Sequence, residues 1–361
     1  MRSHSTIARS IGAALALAFA LGSMPLIAQH GKTGYVQHNL VSDGAIAADH
    51  TDPNLVNAWG VAFNPNGVAW VANNGTGTST LYDGDGNPQS LVVSIPTPTA
   101  DSGGRPTGIA YNASSGFVVT GASGSGPSRF LFATEDGVIA GWSPAADTTH
   151  AIMAIDSSPG HAIYKGLALS AGGTGQLLYA TDFHNGKVDV FDSTFAPVTL
   201  SGSFTDSTLP AGFAPFGIQA VGGDVYVTYA QQDADAEDEL HGKGLGYVDL
   251  YDANGNLLQR IASRGALNAP WGVALAPASF GALGSSLLIG NFGDGRINAF
   301  DTFRGGPLGS LLDANRRPIQ IDGLWGIAFG NGLANQPTNT LFFAAGPNDE
   351  ANGLYGRIDA Q

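Results

Sequence analysis

His161, Lys165, Asp182 and His184 fall within one short stretch and carry the best acid–base chemistry in the chain. Imidazole titrates near neutral pH, so a histidine pair beside a carboxylate and an ammonium can exchange protons with a substrate. His161 and His184 are therefore the candidate catalytic residues. Two imidazoles also begin a zinc site, which needs at least one further ligand. The plainer alternative is a pair of solvated loop histidines. A second set offers oxygens. Asn73, Asp182 and Asn291 recur at equivalent places in a repeated phrase. Oxygen ligands converging from several directions suit Ca²⁺, which tolerates irregular geometry. These three are candidate metal ligands, and Ca²⁺ is the candidate cofactor. The alternative is that they cap strand ends and satisfy turn backbones. There is no His-Glu-x-x-His motif, no Gly-x-Ser-x-Gly nucleophile elbow and no cysteine, which excludes thiolate chemistry and disulfides.

Two acidic segments stand out. Asp83-Gly84-Asp85-Gly86-Asn87 imitates the start of a calcium loop, but Ser94 occupies the place of the closing glutamate. It and Asp252-Ala253-Asn254-Gly255-Asn256 read as hairpin turns between third and fourth strands. The run from Gln231 to Gly242 holds five acids in seven residues, Asp233 to Glu239. Such a run is a solvated loop unless a cation orders it into a lid.

The elements that must position these groups follow from a phrase repeated six times. Trp59-Gly60-Val61-Ala62-Phe63 returns at Thr107, Lys165, Phe216, Trp271 and Trp325, with glycines 48, 58, 51, 55 and 54 residues apart. A period near 50 with several short strands per repeat is the signature of a β-propeller. The third copy reads as strands at 165–169, 177–181 and 187–191, with a fourth beginning at 197, punctuated by Gly, Asn and Asp. Each phrase glycine is expected where first strands crowd the axis. The aromatics before aspartate (Tyr82, Phe191, Tyr251, Phe300) are expected between neighbouring sheets. The sixth copy shows only three strands, and Tyr35 to Val41 supplies the missing one. The expected fold is thus all-β, a six-bladed β-propeller whose last blade is closed by an N-terminal strand, over residues 29–361. Truncation of residues 29–43 should destabilise it.

Residues 1–28 read as a secretory signal: Arg2 and Arg9, an apolar run from Ile11 to Gly22, and a small residue at Ala28. A retained N-terminal anchor is the alternative. The expected location is secreted or periplasmic. The formal charge is −14, and loss of this segment makes it two units more negative. Such a chain repels nucleic acid and anionic membranes. It is compatible with a cation, a neutral polymer, a small molecule, a glycan or a protein ligand. A monomer without membrane insertion is expected.

The stretch Leu178 to Asp192 resembles an NHL repeat, and Leu288 to Asp301 is similar. With Asn39-Leu40-Val41-Ser42-Asp43 and Asn57 to Phe63, the chain resembles an uncharacterised family of secreted bacterial six-bladed propellers of the NHL-like group. The resemblance implies fold kinship with gluconolactonases, paraoxonase-like lactonases, strictosidine synthase-like enzymes and the amidating lyase domain. Lactonases of this group hold an axial metal, though no glutamate matches theirs near the first inner strand. Activities that differ so much on one fold do not fix a function.

In a propeller the loops entering first strands and those joining second to third strands share one face, here called the top. Asn57, Arg105, Lys165, Trp271 and Asn348 are the candidate ligand-binding residues there, beside Ser123, Asn268, Asp294, Asp322 and Glu350. Trp59, Trp271 and Trp325 should stand near the channel mouth, either stacking on a ligand or filling the core. The first reading is a binding propeller that uses this mouth. The alternatives are a Ca²⁺-dependent lactonase-, esterase- or lyase-like enzyme and a structural envelope protein.

Overall fold

A computed structural model describes residues 1, 34–172 and 175–361; the signal expected at 1–28 lies, beyond Met1, outside the described residues. Six blade sheets follow one another along the chain, antiparallel apart from a short parallel pairing of Val41–Ser42 with His50–Thr51 at the edge of the last. Blade one is Ala58–Phe63, Ala69–Asn73, Thr78–Tyr82 and Val93–Ser94. Blade two is Pro106–Tyr111, Phe130–Thr134, Val138–Trp142 and Ile152–Asp156. Blade three has only Tyr164–Gly172, Gly175–Asp182 and Lys187–Asp192. The fourth strand expected at 197 is reduced to a bridge between Phe191 and Pro197. Blade four is Phe213–Val221, Asp224–Gln231, Tyr247–Tyr251 and Leu257–Ser263. Blade five is Pro270–Leu275, Leu287–Asn291, Ile297–Phe300 and Pro307–Ser310.

Blade six joins the two ends of the chain. Leu324–Phe329, Thr340–Ala345 and Leu354–Ala360 are followed outward by Tyr35–Ser42, which pairs antiparallel with the last strand from Tyr35↔Ala360 to Ser42↔Leu354. The N-terminal strand thus covers an edge that would otherwise stand open. Tyr35 anchors it: its hydroxyl donates to the Phe280 carbonyl at 3.1 Å and accepts from the Leu283 amide at 2.9 Å.

The phrase glycines pack the inner strands against each other around the axis. A Cβ on Gly60 would stand 2.6 Å from the Thr107 carbonyl, and one on Gly272 would stand 2.5 Å from that of Trp325. The same contact links Gly326 to Trp59, which completes the ring. Apolar side chains then form one core between each pair of neighbouring blades. Tyr82 stacks on Tyr355 between blades one and six, and Phe300 joins Tyr226, Val248 and Ile261 between blades five and four. The aspartate after each of these aromatics serves the turn. Asp83 accepts from the Asp85 and Asn87 amides, and Asp252 from the Asn254 and Asn256 amides, as expected of hairpin corners. Among the described residues no helix is long and apolar enough to cross a membrane.

Candidate functional site

The residue before each phrase glycine sits at the top of an inner strand. Trp59, Phe216, Trp271 and Trp325 therefore meet over the axis, with Phe183 from a top loop, as a separate buried cluster. Trp59 stacks on Trp325 with ring centroids 3.4 Å apart, Phe292 stacks on the same indole at 3.8 Å, and Trp271 stands edge-on to both at 5.8 Å. Trp271, a candidate ligand-binding residue, is buried in this plug and donates Nε1–H to the Lys165 carbonyl at 3.0 Å. The plug closes the top of the channel. Below it a cavity of about 350 Å³ opens on the opposite face, lined by the lower halves of the inner strands.

Lys165 is the one charged member of that ring, and its side chain is 1% exposed. Its ammonium donates to Glu135 Oε1 at 2.5 Å and Asp238 Oδ1 at 3.1 Å, and lies 5.4 Å from the Trp59 ring centre. Burial pulls the ammonium pKa down, but the charges of Glu135, Glu239 and Asp238 outweigh it and hold the pKa above its ordinary value. Lys165 is thus a fixed cation, not a nucleophilic amine. Burial likewise pushes Glu135 up, and Lys165, the Asn74 amide and Arg105 bring it below its ordinary value. Asn74 Nδ2 donates to Glu135 Oε2 at 2.9 Å, and Asn57 Nδ2 donates to Glu350 Oε2 at 3.0 Å. Glu350 has no such cation of its own. Burial and the charges of Glu239 and Glu135 push it up to about 7, against the pull of Lys165 and Asn57. Arg105, half exposed, closes the outer side through Asp136 at 3.2 Å and Glu135 at 3.8 Å.

The acidic insert is an ordered strap across this cluster. Gln232 bridges to Glu239, and the Asp233 amide donates to the Asp238 carbonyl at 2.8 Å. Gln232 Nε2 donates to the Phe183 carbonyl at 2.6 Å, which ties the strap to blade three. At its far end His241 Nε2 faces Glu239 Oε1 at 3.4 Å, and that contact raises the histidine pKa. The Gly242 amide donates to Asn268 Oδ1 at 2.7 Å. Glu239 is thereby buried over the axis, while Asp238 reaches Lys165 from the solvent side.

Beside the strap, His161 and His184 share a cleft of about 200 Å³ with Glu135, Asp136 and Glu237, their ring centres 6.1 Å apart. The two loops that carry them are braced by Asp182. Its Oδ1 accepts from the Ile163 and Asn185 amides, each at 3.3 Å, and its Oδ2 from Asn185 Nδ2 at 2.8 Å. Asn73 Nδ2 donates to Thr78 and Thr80 hydroxyls, and Asn291 Nδ2 to the Ala266 carbonyl and Asp294. Only the Asp182 oxygens are thus engaged by hydrogen bonds; Oδ1 of Asn73 and Oδ1 of Asn291 are buried without a hydrogen-bond partner. Among the described residues no three His, Asp or Glu side chains already form a set that could hold a metal ion. Asn348 lies exposed at the rim, its amide N–H donating to Asp322 Oδ2 at 2.9 Å.

Glu135, the anchor of the cluster, was missed by the sequence reading. An additional hairpin, Val118–Gly121 with Gly124–Pro127, is inserted between the first and second strands of blade two. Ser123, expected in a top loop, sits in that hairpin. The loop between second and third strands is instead Glu135-Asp136-Gly137, bounded by Phe130–Thr134 and Val138–Trp142.

No family model matches the chain. It is 35% identical over 353 residues to the uncharacterized protein R648 of Acanthamoeba polyphaga mimivirus, which covers 94% of this chain and 84% of that one. The uncharacterized protein L690 of the same virus is 32% identical over 331 residues, 88% of this chain and 84% of its own. The chain belongs to the family of these two proteins. These relatives are viral, whereas the sequence resemblance pointed to bacteria. Among solved structures, a glucose dehydrogenase aligns with a TM-score of 0.56 at 13% identity over 90% of this chain and 100% of that one. A structural genomics protein of unknown function from Bacteroides thetaiotaomicron gives 0.53 at 13%, over 91% and 76%. At that identity the likeness is one of fold, and it agrees with the six-bladed propeller.

Proposed function

We propose that this chain is a binding propeller that holds a small cationic ligand in the axial cluster on its top face, beneath the strap. One observation carries the reading. Glu135, Glu239 and Glu350 lie around a single buried ammonium, with the solvent-exposed carboxylate of Asp238 on it as well, so the cluster holds more acid than base. Burying ionised groups is costly and does little for stability compared with apolar packing. A ligand that brings positive charge would relieve the surplus. The unpartnered Asn57 Oδ1 would help fix its orientation. The test is a set of thermal melts of the purified chain with amines, Ca²⁺, carboxylates and neutral sugars. The reading expects stabilisation by cations alone; stabilisation by carboxylates and not by cations would overturn it.

A second reading, an acid–base hydrolase or lyase, is favoured by Glu350 near neutrality and by the histidine cleft. A lactone and ester screen with wild type and His184→Ala tests it. Turnover that is lost in the variant supports it, and no turnover removes it. A secreted or periplasmic location belongs to this proposal and rests on Arg2, Arg9 and the apolar run to Gly22. Mass spectrometry of the exported protein should find the chain starting near Gln29, and an intact Met1 would argue against it.

A further inference from the structure

We propose that His161 and His184 are two ligands of a transition-metal site of the Zn²⁺ class, completed by Glu237 of the strap. The site goes beyond the cation reading of the axial cluster and does not depend on it. Four observations support it. The two rings lie 6.1 Å apart at their centres across a cleft large enough for an ion and its water. Two imidazoles that share a metal about 2.1 Å from one nitrogen of each hold their ring centres at a comparable separation, which a small rotation of the two side chains would reach.

His184 Nδ1 faces the Ala236 carbonyl at 3.2 Å. Only an Nδ1–H satisfies that oxygen, so the lone pair is left on Nε2. Metal-bound imidazoles characteristically carry such a partner on the other nitrogen, and it sets both tautomer and ring orientation. The partner here belongs to the residue before Glu237, so the contact that orients the ring also brings the third ligand to the cleft. Glu237 is exposed and its side chain can turn inward. Among the described residues no three such side chains stand close enough to hold a metal, so the site requires the Glu237 carboxylate to move in on binding.

The loops are held for the purpose. Asn185 Nδ2 donates to the Gly160 carbonyl at 3.1 Å, and Asp182 ties both loops together. His161 itself adopts φ +57°, a left-handed conformation costly for a residue with a Cβ. Glu135 and Asp136 on the cleft wall add negative charge, while Lys165 is fully engaged behind Glu135. A fourth coordination position stays open to water or a ligand.

The experiment is calorimetric titration of the tag-free chain with ZnCl₂, with melts to show that each variant is folded. Wild type should take up one ion per chain at micromolar concentrations. His161→Ala and His184→Ala should each weaken uptake at least tenfold, and Glu237→Gln on the order of tenfold. His184→Asn, which can still donate to Ala236, guards against a merely structural loss: it should keep the wild-type melting temperature and lose the metal. Glu350→Gln should leave zinc uptake unchanged, which separates this site from the axial one. No uptake by wild type overturns the proposal. Uptake unchanged in the His161→Ala/His184→Ala double variant overturns it too, because the ion would then sit elsewhere.

Discussion

Lys165 decides what the axial residues can do. With its ammonium in place Glu135 stays ionised; without it Glu135 is a mostly buried carboxylate left with Asn74 and the half-exposed Arg105. Lys165→Met should cost about 3–5 kcal/mol, read from chemical denaturation, because one half of a buried pair is left behind. Adding Glu135→Gln to that variant should restore most of the loss. Equal losses in single and double variants would mean that the pair is not coupled. Glu350 gives the opposite sign of pH dependence. Its folded pKa, about 7, lies above the ordinary 4.5, so the folded state binds the extra proton between these values. Its contribution is fully present below pH 4.5 and is lost as pH rises through 7. Asp249, pushed up by burial to about 6 from 3.8, adds a loss over a lower window. Stability should therefore fall from pH 5 to pH 8, and Glu350→Gln should remove about 2 kcal/mol of that fall after discount for partial exposure. An unchanged slope would contradict this account of Glu350.

At the scale of elements, the N-terminal strand and the strap are the two pieces with the clearest tasks. Deleting residues 35–42 removes the whole outer register of blade six and the buried side chains of Leu40 and Val41. The melting temperature should drop by at least about ten degrees, in line with losing several kcal/mol. Tyr35→Phe is the milder probe. It leaves the Phe280 carbonyl and the Leu283 amide without their partner and should cost about 1–2 kcal/mol by denaturation. The strand was legible in the sequence because a three-stranded last copy demands a fourth. The strap was visible as charge but not as structure. Its order comes from Gln232 reaching the Phe183 carbonyl and from Asp238 reaching Lys165, contacts between blades that no local pattern encodes. Glu135 was hidden for a different reason, since the hairpin at 118–127 displaced the register of blade two.

At the scale of the whole molecule, the repeat explains both the rigidity and the position of the site. Each phrase glycine lets an inner strand touch the next, and each residue before it is thereby aimed at the axis. The period was plain in the sequence. That four of these residues form an aromatic plug, and a fifth a buried ammonium, depends on six repeats meeting at one point. Asp182, Asn73 and Asn291 illustrate the reverse: their equivalence was legible, but local hydrogen bonds hold the Asp182 carboxylate and the two Asn Nδ2 groups, while Oδ1 of Asn73 and of Asn291 is left buried without a partner.

The central claim is that the surplus of acid above the plug binds a cation. The most direct measurement is the melting temperature of wild type and Glu350→Gln, each with and without the strongest stabilising amine or Ca²⁺, at pH 5.5 and pH 8. The account predicts a cation-dependent rise in wild type that is larger at pH 8, where Glu350 is ionised, and a smaller, pH-independent rise in the variant. Equal rises in both proteins at both pH values, or none in either, would contradict it.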